Sequence, residues 1–419
     1  MRYNVLKQKK ITFITIVLLV FTITTFYFIF TTLNAKETIA LQPIDIPYST
    51  GTISTNNNQS AIVTPPSQAP LPTNTPITTN PNVETTNEIE QLLQTLSTAQ
   101  KIGQLLIIGI EDKQLTSAHQ KLIQEQYIGS IILFKRNIKN EKQLINFITQ
   151  LKQQNEHTEI PLWITIDQEG GNVNRLPEKF PSAASLAELQ DPTLTYNSAA
   201  TMGETLARYG IDVDFAPVLD VNSNPKNPVI GDRAFGTTPQ EATEQAIAMM
   251  QGLQSYVITV GKHFPGHGDT SEDSHKTLPT VNKSWEELQQ LELLPFYAAV
   301  EKQIDALMIG HLYFPQLDSE YPASLSKEII THRLREEMGF TGLVISDDMV
   351  MGGITEQYQI GDAAVIALQA GIDMLIVGHD KESQQEVITA ITTAVENGKI
   401  SKQLLDEHVR RVLTVKLDQ

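Results

Sequence analysis

The sequence predicts an α/β protein whose main part, residues 89–419, is a single (β/α)8 barrel of the TIM type. Three observations support this fold class. Eight short runs of apolar, β-prone residues recur along this part of the chain, a segment with helical spacing follows each run, and the whole pattern takes about 330 residues. A transmembrane helix and a disordered linker are predicted to precede the barrel.

The N-terminal segment has the pattern of a membrane anchor. Residues 11–33 carry no charge and are long enough to cross a bilayer as a helix, and the basic segment 1–10 precedes them. Because basic residues stay on the cytoplasmic side, we expect the rest of the chain outside the cell. The alternative is a cleaved signal peptide and a secreted protein, although Leu33-Asn34-Ala35 fits a small-x-small cleavage site poorly.

The next segment, residues 34–88, is rich in Thr, Asn, Pro, Ser and Gln and holds few large apolar residues. Such a composition cannot bury enough apolar surface to offset the entropy lost on ordering. It predicts a disordered linker, partly extended by its prolines. An irregular cap that lies on the following domain is the alternative.

The overall composition excludes several classes of protein. The net charge of −17 would repel a phosphate backbone, which argues against a nucleic-acid partner. The absence of cysteine excludes disulfides, thiolate metal sites and a cysteine nucleophile. An apolar content of 41% is enough for one large core, so a folded enzyme is the expected class.

The eight predicted strands alternate with helical segments, which indicates a parallel sheet. The runs are GQLLIIGI from 103, GSIILFK from 129, PLWITID from 161, DVDFAPV from 212, VITVGKHF from 257, DALMIGHL from 305, GLVISDD from 342 and DMLIVGH from 373. A doubly wound open sheet is the alternative, because the number of strands alone does not show closure.

The predicted helices have recognisable ends. Ser97 with Gln100, and Ser284 with Glu287, have the spacing of a capping box, and Ser326 is placed to cap the segment EIITHRLREEM. Glycines that end helices are expected at 339 and 398.

Polar residues stand at the carboxyl ends of four predicted strands. They are Asp167, Lys262, His263, His311, Asp347 and Asp348. In a barrel this end forms the active face, so residues from distant parts of the chain are expected to meet there. A single polar residue at a strand end is often only a helix cap, but four such ends on one rim favour a functional site.

The loop from Gly261 to Thr277 holds three of the nine histidines, and Asp273 lies two residues before His275. In an extended segment both side chains share one face, and a carboxylate beside an imidazole tunes it for proton transfer near neutral pH. Two alternatives remain: solvated loop residues, or a metal site. The possible ligands of a metal are His263, His267, Asp269, Asp273, His275 and His311.

Four motifs then carry a family resemblance: IDQEGGNVNR, GDRAFG, KHFPGHGDTSEDSH and GFTGLVISDDM. In this order, and across residues 90–415, they resemble glycoside hydrolase family 3, specifically its β-N-acetylglucosaminidase (β-N-acetylhexosaminidase) branch. The resemblance implies a retaining mechanism without metal or organic cofactor. Together with the predicted membrane anchor, it implies that the substrate is a terminal β-linked N-acetylglucosamine on peptidoglycan fragments or another surface glycan.

The resemblance also implies a role for each matching residue. Asp347 matches the nucleophile, His275 the general acid/base, and Asp273 the aspartate that assists it. The positions that match sugar-binding residues are Asp167, Arg175, Arg233, Lys262 and His263. The alternative for Asp167 and Arg175 is an ion pair that braces their loop, and the alternative for Arg233 is loop packing alone.

The sequence departs from the family pattern at Asn172, where an arginine is usual. The residues after the eighth predicted strand are expected to form two closing helices and not the second sandwich domain that many members carry. A monomeric catalytic domain is expected.

Within the family, a β-glucosidase or a glycoside phosphorylase is the alternative activity. From other classes, the alternatives are a metal-dependent hydrolase and an inactive glycan-binding module.

Overall fold

A computed structural model describes residues 81–418, and these form a closed barrel of eight parallel strands. The strands are β1 (Leu106–Gly109), β2 (Ser130–Leu133), β3 (Trp163–Ile166), β4 (Val213–Asp214), β5 (Ile258–Phe264), β6 (Ala306–Ile309), β7 (Leu343–Asp348) and β8 (Met374–Val377). Each strand pairs with the next, and β8 pairs with β1 through Ile107 and Ile376. Closure confirms the predicted barrel and excludes the doubly wound open sheet.

Helices surround the barrel. They are α1 (Pro81–Thr95), α2 (Thr98–Gln104), α3 (Ser117–Gln124), α4 (Glu141–Gln153), α5 (Ala183–Ala187), α6 (Pro192–Tyr209), α7 (Pro239–Gln254), α8 (Trp285–Gln290), α9 (Leu294–Glu301), α10 (Glu328–Glu337, a π-helix), α11 (Gly352–Thr355), α12 (Ile360–Ala370), α13 (Lys381–Glu396) and α14 (Lys402–Leu417). Short 3₁₀ turns span Lys135–Asn137, Gly231–Arg233 and Ala323–Leu325.

The predicted helix ends are confirmed. Both capping boxes form, at Ser97 and at Ser284, and the hydroxyl of Ser326 accepts the backbone N–H of Ile329 at the start of α10. Gly339 and Gly398 have φ angles of 71° and 79°, the left-handed conformation that ends a helix at little cost for glycine.

The segment before the barrel differs from the prediction in its last part. Helix α1 begins at Pro81, so residues 81–88 are helical where a disordered linker is predicted. Proline is favoured in the first turn of a helix, and Ile89 and Leu93 of α1 are buried in the barrel's core, which stabilises the helix by tertiary packing.

The predicted membrane anchor, residues 11–33, lies outside the described residues, as does the linker up to residue 80. Among the helices of residues 81–418, none combines the length and the apolar character that a membrane span requires.

The two ends of the barrel interior differ. At the carboxyl ends of the strands, Ile132, Met308 and Ile376 line an open cavity. At the opposite end, Lys416 of α14 plugs the barrel: its Nζ donates to the carbonyls of Gly129 (2.7 Å) and Pro161 (3.0 Å) and to Oε1 of Gln104 (3.0 Å). The ammonium also lies 4.8 Å from the ring centre of Trp163. Burial lowers the pKa of Lys416 to about 7.

Candidate active site

The cavity at the carboxyl ends of the strands has a volume of about 380 Å3, which suits a small ligand. Its walls contain seven of the eight site residues expected from the sequence: Asp167, Arg175, Arg233, Lys262, His263, His275 and Asp347. The eighth, Asp273, contacts His275 directly. Residues from β5 and β7 and from the loops that follow β3, β4 and β5 therefore meet on one face, as the barrel prediction requires.

Asp347 ends β7 and is held in a defined orientation. Its Oδ1 accepts the backbone N–H of Asp348 at 2.8 Å. Burial would raise the pKa of Asp347, but the nearby imidazoles of His311 and His263 and this N–H outweigh it, so the pKa lies below its usual value. Asp347 is consequently an ionised carboxylate in the cavity, the state that a nucleophile needs.

Asp348 also borders the cavity, but its carboxylate is used by the neighbouring loop. Oδ1 accepts the backbone N–H of Gly378 at 3.0 Å, and Oδ2 lies 3.1 Å from Nδ1 of His379. His311 completes this support, because its Nε2 donates to the carbonyl of Asp348 at 3.1 Å while its Nδ1 lies 2.7 Å from the hydroxyl of Ser324. These contacts fix the end of β7 from both sides.

The predicted Asp273–His275 pair is formed. Oδ1 of Asp273 lies 2.9 Å from Nδ1 of His275 and also accepts the His275 backbone N–H at 3.0 Å. Although burial raises the pKa of Asp273, these two hydrogen bonds hold it below its usual value. An ionised carboxylate can only accept, so Nδ1 of His275 carries a proton. Nε2 is left to exchange a proton in the cavity, and the side chain is 63% exposed.

A buried ionic cluster lies beside the cavity, centred on Glu169. Arg233 donates to both carboxylate oxygens of Glu169, each at 2.8 Å, and Lys262 Nζ lies 2.7 Å from Oε1. Burial would raise the pKa of Glu169, but the two cations hold it far below its usual range. Burial would likewise lower the pKa of Lys262, and Asp167 and Glu169 raise it instead. The cluster is therefore fully charged.

Asp167 and Arg175 do not form a close ion pair. Their nearest atoms are 4.0 Å apart, and Lys262 is the residue that contacts Asp167, at 2.7 Å. Nε of Arg175 is buried and has no hydrogen-bond partner within the described residues. Both side chains thus keep hydrogen-bonding capacity for a ligand. Asn172, the departure from the family pattern, donates to Asp232 at 2.8 Å, away from these atoms.

His263 is oriented by a buried carboxylate that the sequence did not reveal, Asp220. One oxygen of Asp220 lies 2.7 Å from Nδ1 of His263, and the other accepts the backbone N–H of His267 at 2.6 Å. Nε2 of His263 is left facing the cavity, 3.4 Å from Arg233. This arrangement suits a hydrogen bond to a sugar hydroxyl.

The possible metal ligands of the loop are engaged in other contacts. His267 is buried between the hydroxyls of Thr270 and Ser274, each 2.9 Å from a ring nitrogen, and Asp269 lies 2.8 Å from Lys283. Within the part of the chain that the structure describes, no three His, Asp or Glu side chains are grouped so as to hold a metal ion. This geometry gives a metal-dependent hydrolase no support.

Comparison with known proteins identifies the family. The sequence profile described as "Glycosyl hydrolase family 3 N terminal domain" matches residues 97–415. The chain belongs to glycosyl hydrolase family 3. It is therefore a glycoside hydrolase, as the family 3 motifs predicted.

Individual family 3 relatives support the same assignment. A protein of Idiomarina loihiensis named "Beta-hexosaminidase" is 35% identical over 299 residues, which cover 70% of this chain and 88% of that protein. A family 3 β-N-acetylglucosaminidase structure from Paenibacillus sp. strain FPU-7 has a TM-score of 0.76 at 40% identity, over 77% of this chain and 62% of that chain. A β-N-acetylhexosaminidase structure from Beutenbergia cavernae has a TM-score of 0.71 at 28% identity, over 77% and 98%.

Sequence reasoning missed two residues of this family 3 site, Glu169 and Asp220. Glu169 stands in the motif IDQEGG, two residues after Asp167, and Asp220 follows the fourth predicted strand. A carboxylate at the carboxyl end of a strand is the signal used for Asp167 and Asp347, and it would have found both residues had it been extended by two positions.

Proposed function

We propose that this glycoside hydrolase is a retaining β-N-acetylhexosaminidase that releases terminal β-linked N-acetylglucosamine. The observation that carries the proposal is the presence, in one cavity, of an ionised carboxylate, Asp347, and a carboxylate-supported imidazole, His275. The names of the Idiomarina, Paenibacillus and Beutenbergia relatives support the choice of substrate over a β-glucoside.

In the proposed reaction, Asp347 attacks the anomeric carbon while His275 donates its Nε2 proton to the glycosidic oxygen. The bond to the leaving group breaks and a glycosyl-aspartate forms. His275 then removes a proton from water, which attacks the anomeric carbon and releases Asp347. Two inversions retain the anomeric configuration, and Asp273 stabilises the imidazolium in the first step.

The remaining residues bind the sugar. Asp167 accepts hydrogen bonds from hydroxyl groups, and Arg175, Arg233 and Lys262 donate to hydroxyls or to the acetamido carbonyl. His263 offers Nε2. Glu169 fixes the side chains of Arg233 and Lys262 before the substrate arrives. These two side chains therefore lose little conformational freedom when the substrate binds.

We propose further that the protein works at the cell surface. Residues 11–33 anchor the chain in the cell membrane, and the linker from residue 34 to α1 joins this anchor to a barrel outside the cell. The substrate is a peptidoglycan fragment or another surface glycan. The barrel acts as a monomer. Proteolysis of intact cells tests the topology, since an exposed linker is cut and releases an active barrel, whereas a cytoplasmic barrel stays protected.

The test of the activity uses the 4-nitrophenyl glycosides of β-N-acetylglucosamine and β-glucose with the purified full-length protein. We expect cleavage of the N-acetylglucosaminide, unchanged by EDTA, with release of the β-anomer first, as nuclear magnetic resonance would record. Asp347→Ala should lose more than about a thousandfold in kcat/KM, and the matched variant Asp348→Ala far less.

Three results would contradict the proposal: preference for the glucoside, loss of activity with EDTA that zinc restores, or equal effects of the two variants. The last result would remove the role of Asp347 in particular.

A further inference from the structure

The short helix α11 begins five residues after Asp347, and its first two backbone N–H groups contact the loop that holds His275. Gly352 N–H donates to the carbonyl of His275, and Gly353 N–H donates to the carbonyl of Ser274, each at 3.1 Å. The first N–H groups of a helix have no acceptor within the helix. Here the loop of the acid/base residue supplies those acceptors.

The contact leaves no room for a side chain at Gly352. A Cβ atom there would lie 2.4 Å from the carbonyl oxygen of Lys276 and 3.0 Å from that of His275, both backbone atoms. At Gly353 the same atom would lie 3.1 Å from the carbonyl of Ser274, a milder approach. Neither residue has a positive φ angle, so close approach alone requires glycine at 352.

The loop is held from its other side by His267. Nε2 of His267 lies 2.9 Å from the hydroxyl of Ser274, and the carbonyl of His267 accepts from Asn227 at 2.8 Å. These contacts fix the loop up to Ser274. Among residues 81–418, Gly352 is the one hydrogen-bond donor to the carbonyl of His275, and it holds this carbonyl close to the strand that carries Asp347.

We propose that Gly352 is a positioning residue for the glycosidase reaction, because it sets the distance between the acid/base His275 and the nucleophile Asp347. The inference rests on the proposed function. A shift of the loop by a few tenths of an ångström to one ångström moves Nε2 of His275 away from the glycosidic oxygen, while Asp347 and the sugar-binding residues stay in place.

The chemistry of the leaving group gives a selective test. A dinitrophenolate leaves without a proton, whereas a sugar hydroxyl needs the acid. In Gly352→Ala we expect kcat/KM for N,N′-diacetylchitobiose to fall at least about tenfold and that for the 2,4-dinitrophenyl N-acetylglucosaminide to fall less than about threefold. Azide, a nucleophile that needs no base, should raise kcat of the variant on the second substrate, as it should for His275→Ala.

Gly342 provides a matched control. It precedes β7 at the opposite end of the barrel, and a Cβ there would lie 2.5 Å from the carbonyl of Asp305, a clash of the same kind. Gly342→Ala should lower the stability without changing the ratio of the two kcat/KM values or the response to azide. If Gly352→Ala does not fold, Gly353→Ala should change the same ratio by a smaller factor. Its Cβ would also lie 3.1 Å from Cβ of His311, a contact that acts on both substrates alike and leaves the ratio unchanged.

A proportional loss on both substrates, or no loss on either, in a folded variant would overturn the inference and leave the proposed function intact. Failure of the parent protein to cleave either N-acetylglucosaminide would overturn the proposed function, and the inference with it.

Discussion

Replacing Glu169 by glutamine is expected to destabilise the protein and to weaken substrate binding together. Glu169 is 5% exposed and is the only carboxylate among the described residues that contacts both Arg233 and Lys262. Glutamine has nearly the same shape, but it carries no charge, and its amide N–H groups would face the donors of Arg233. The variant therefore tests the charge of the cluster and not its packing.

The magnitude follows from the contacts that are lost. Breaking a buried ion pair by removing one partner costs about 3–5 kcal/mol. Glutamine keeps one acceptor oxygen and Lys262 keeps Asp167, so we expect about 3 kcal/mol in the free energy of unfolding. Because Arg233 is no longer held in place, substrate binding should weaken. A loss of about 1.4 kcal/mol in binding free energy raises KM about tenfold, and we expect a rise of at least this size.

Urea unfolding and steady-state kinetics of Glu169→Gln and Asp373→Asn measure both effects. Asp373 is a matched control, because it is fully buried immediately before β8 and contacts Arg335 at 2.5 Å and Arg411 at 2.8 Å. Burial would raise its pKa, but Arg335, His408 and Arg411 lower it to about 2. Asp373→Asn should lose stability and keep its KM. If Glu169→Gln behaves in the same way, the reasoning that the cluster prepares the binding site is refuted.

Acid titration adds a check on Glu169→Gln. The lowered pKa of Glu169 stabilises the fold above about pH 4.5, and this stabilisation is lost as pH falls below that value, so the parent should lose more stability in acid than the variant. Burial raises the pKa of Asp214, so ionising it destabilises the fold progressively as pH rises above 3.8. Urea unfolding should therefore show that the free energy of unfolding of Asp214→Asn, relative to that of the parent, is higher at pH 8 than at pH 5. The same difference at both pH values would contradict this. Burial lowers the pKa of His267 from 6.5 to about 4. The free energy of unfolding of the parent should therefore fall by up to about 3 kcal/mol between pH 6.5 and pH 4, and that of His267→Gln should fall clearly less.

The fold was largely predictable because its signals are local. Each strand run is apolar and short, and each observed strand lies inside its predicted run. The fourth run was the least regular: only Val213–Asp214 forms a strand, since Pro217 has no N–H to give to a ladder. The start of α1 was not predictable, because the burial of Ile89 and Leu93 depends on packing against distant parts of the chain.

The site was predictable where a residue faces the cavity and less so where it supports another side chain. The strand-end rule found Asp167 and Asp347, and family resemblance added Arg175 and Arg233. Glu169 acts through Arg233, 64 positions away, and Asp220 acts through His263, 43 positions away. Such pairings arise only when the barrel closes, so no spacing along the chain reports them.

The plug formed by Lys416 has a consequence for biosynthesis. Lys416 stands at the end of the last helix, yet it satisfies carbonyls that precede β2 and β3, near the start of the barrel. The base of the barrel can therefore close only after Lys416 has left the ribosome. A product truncated within α14 would lack the buried ammonium that contacts the carbonyl of Pro161, and the loss of this buried hydrogen bond would lower its stability.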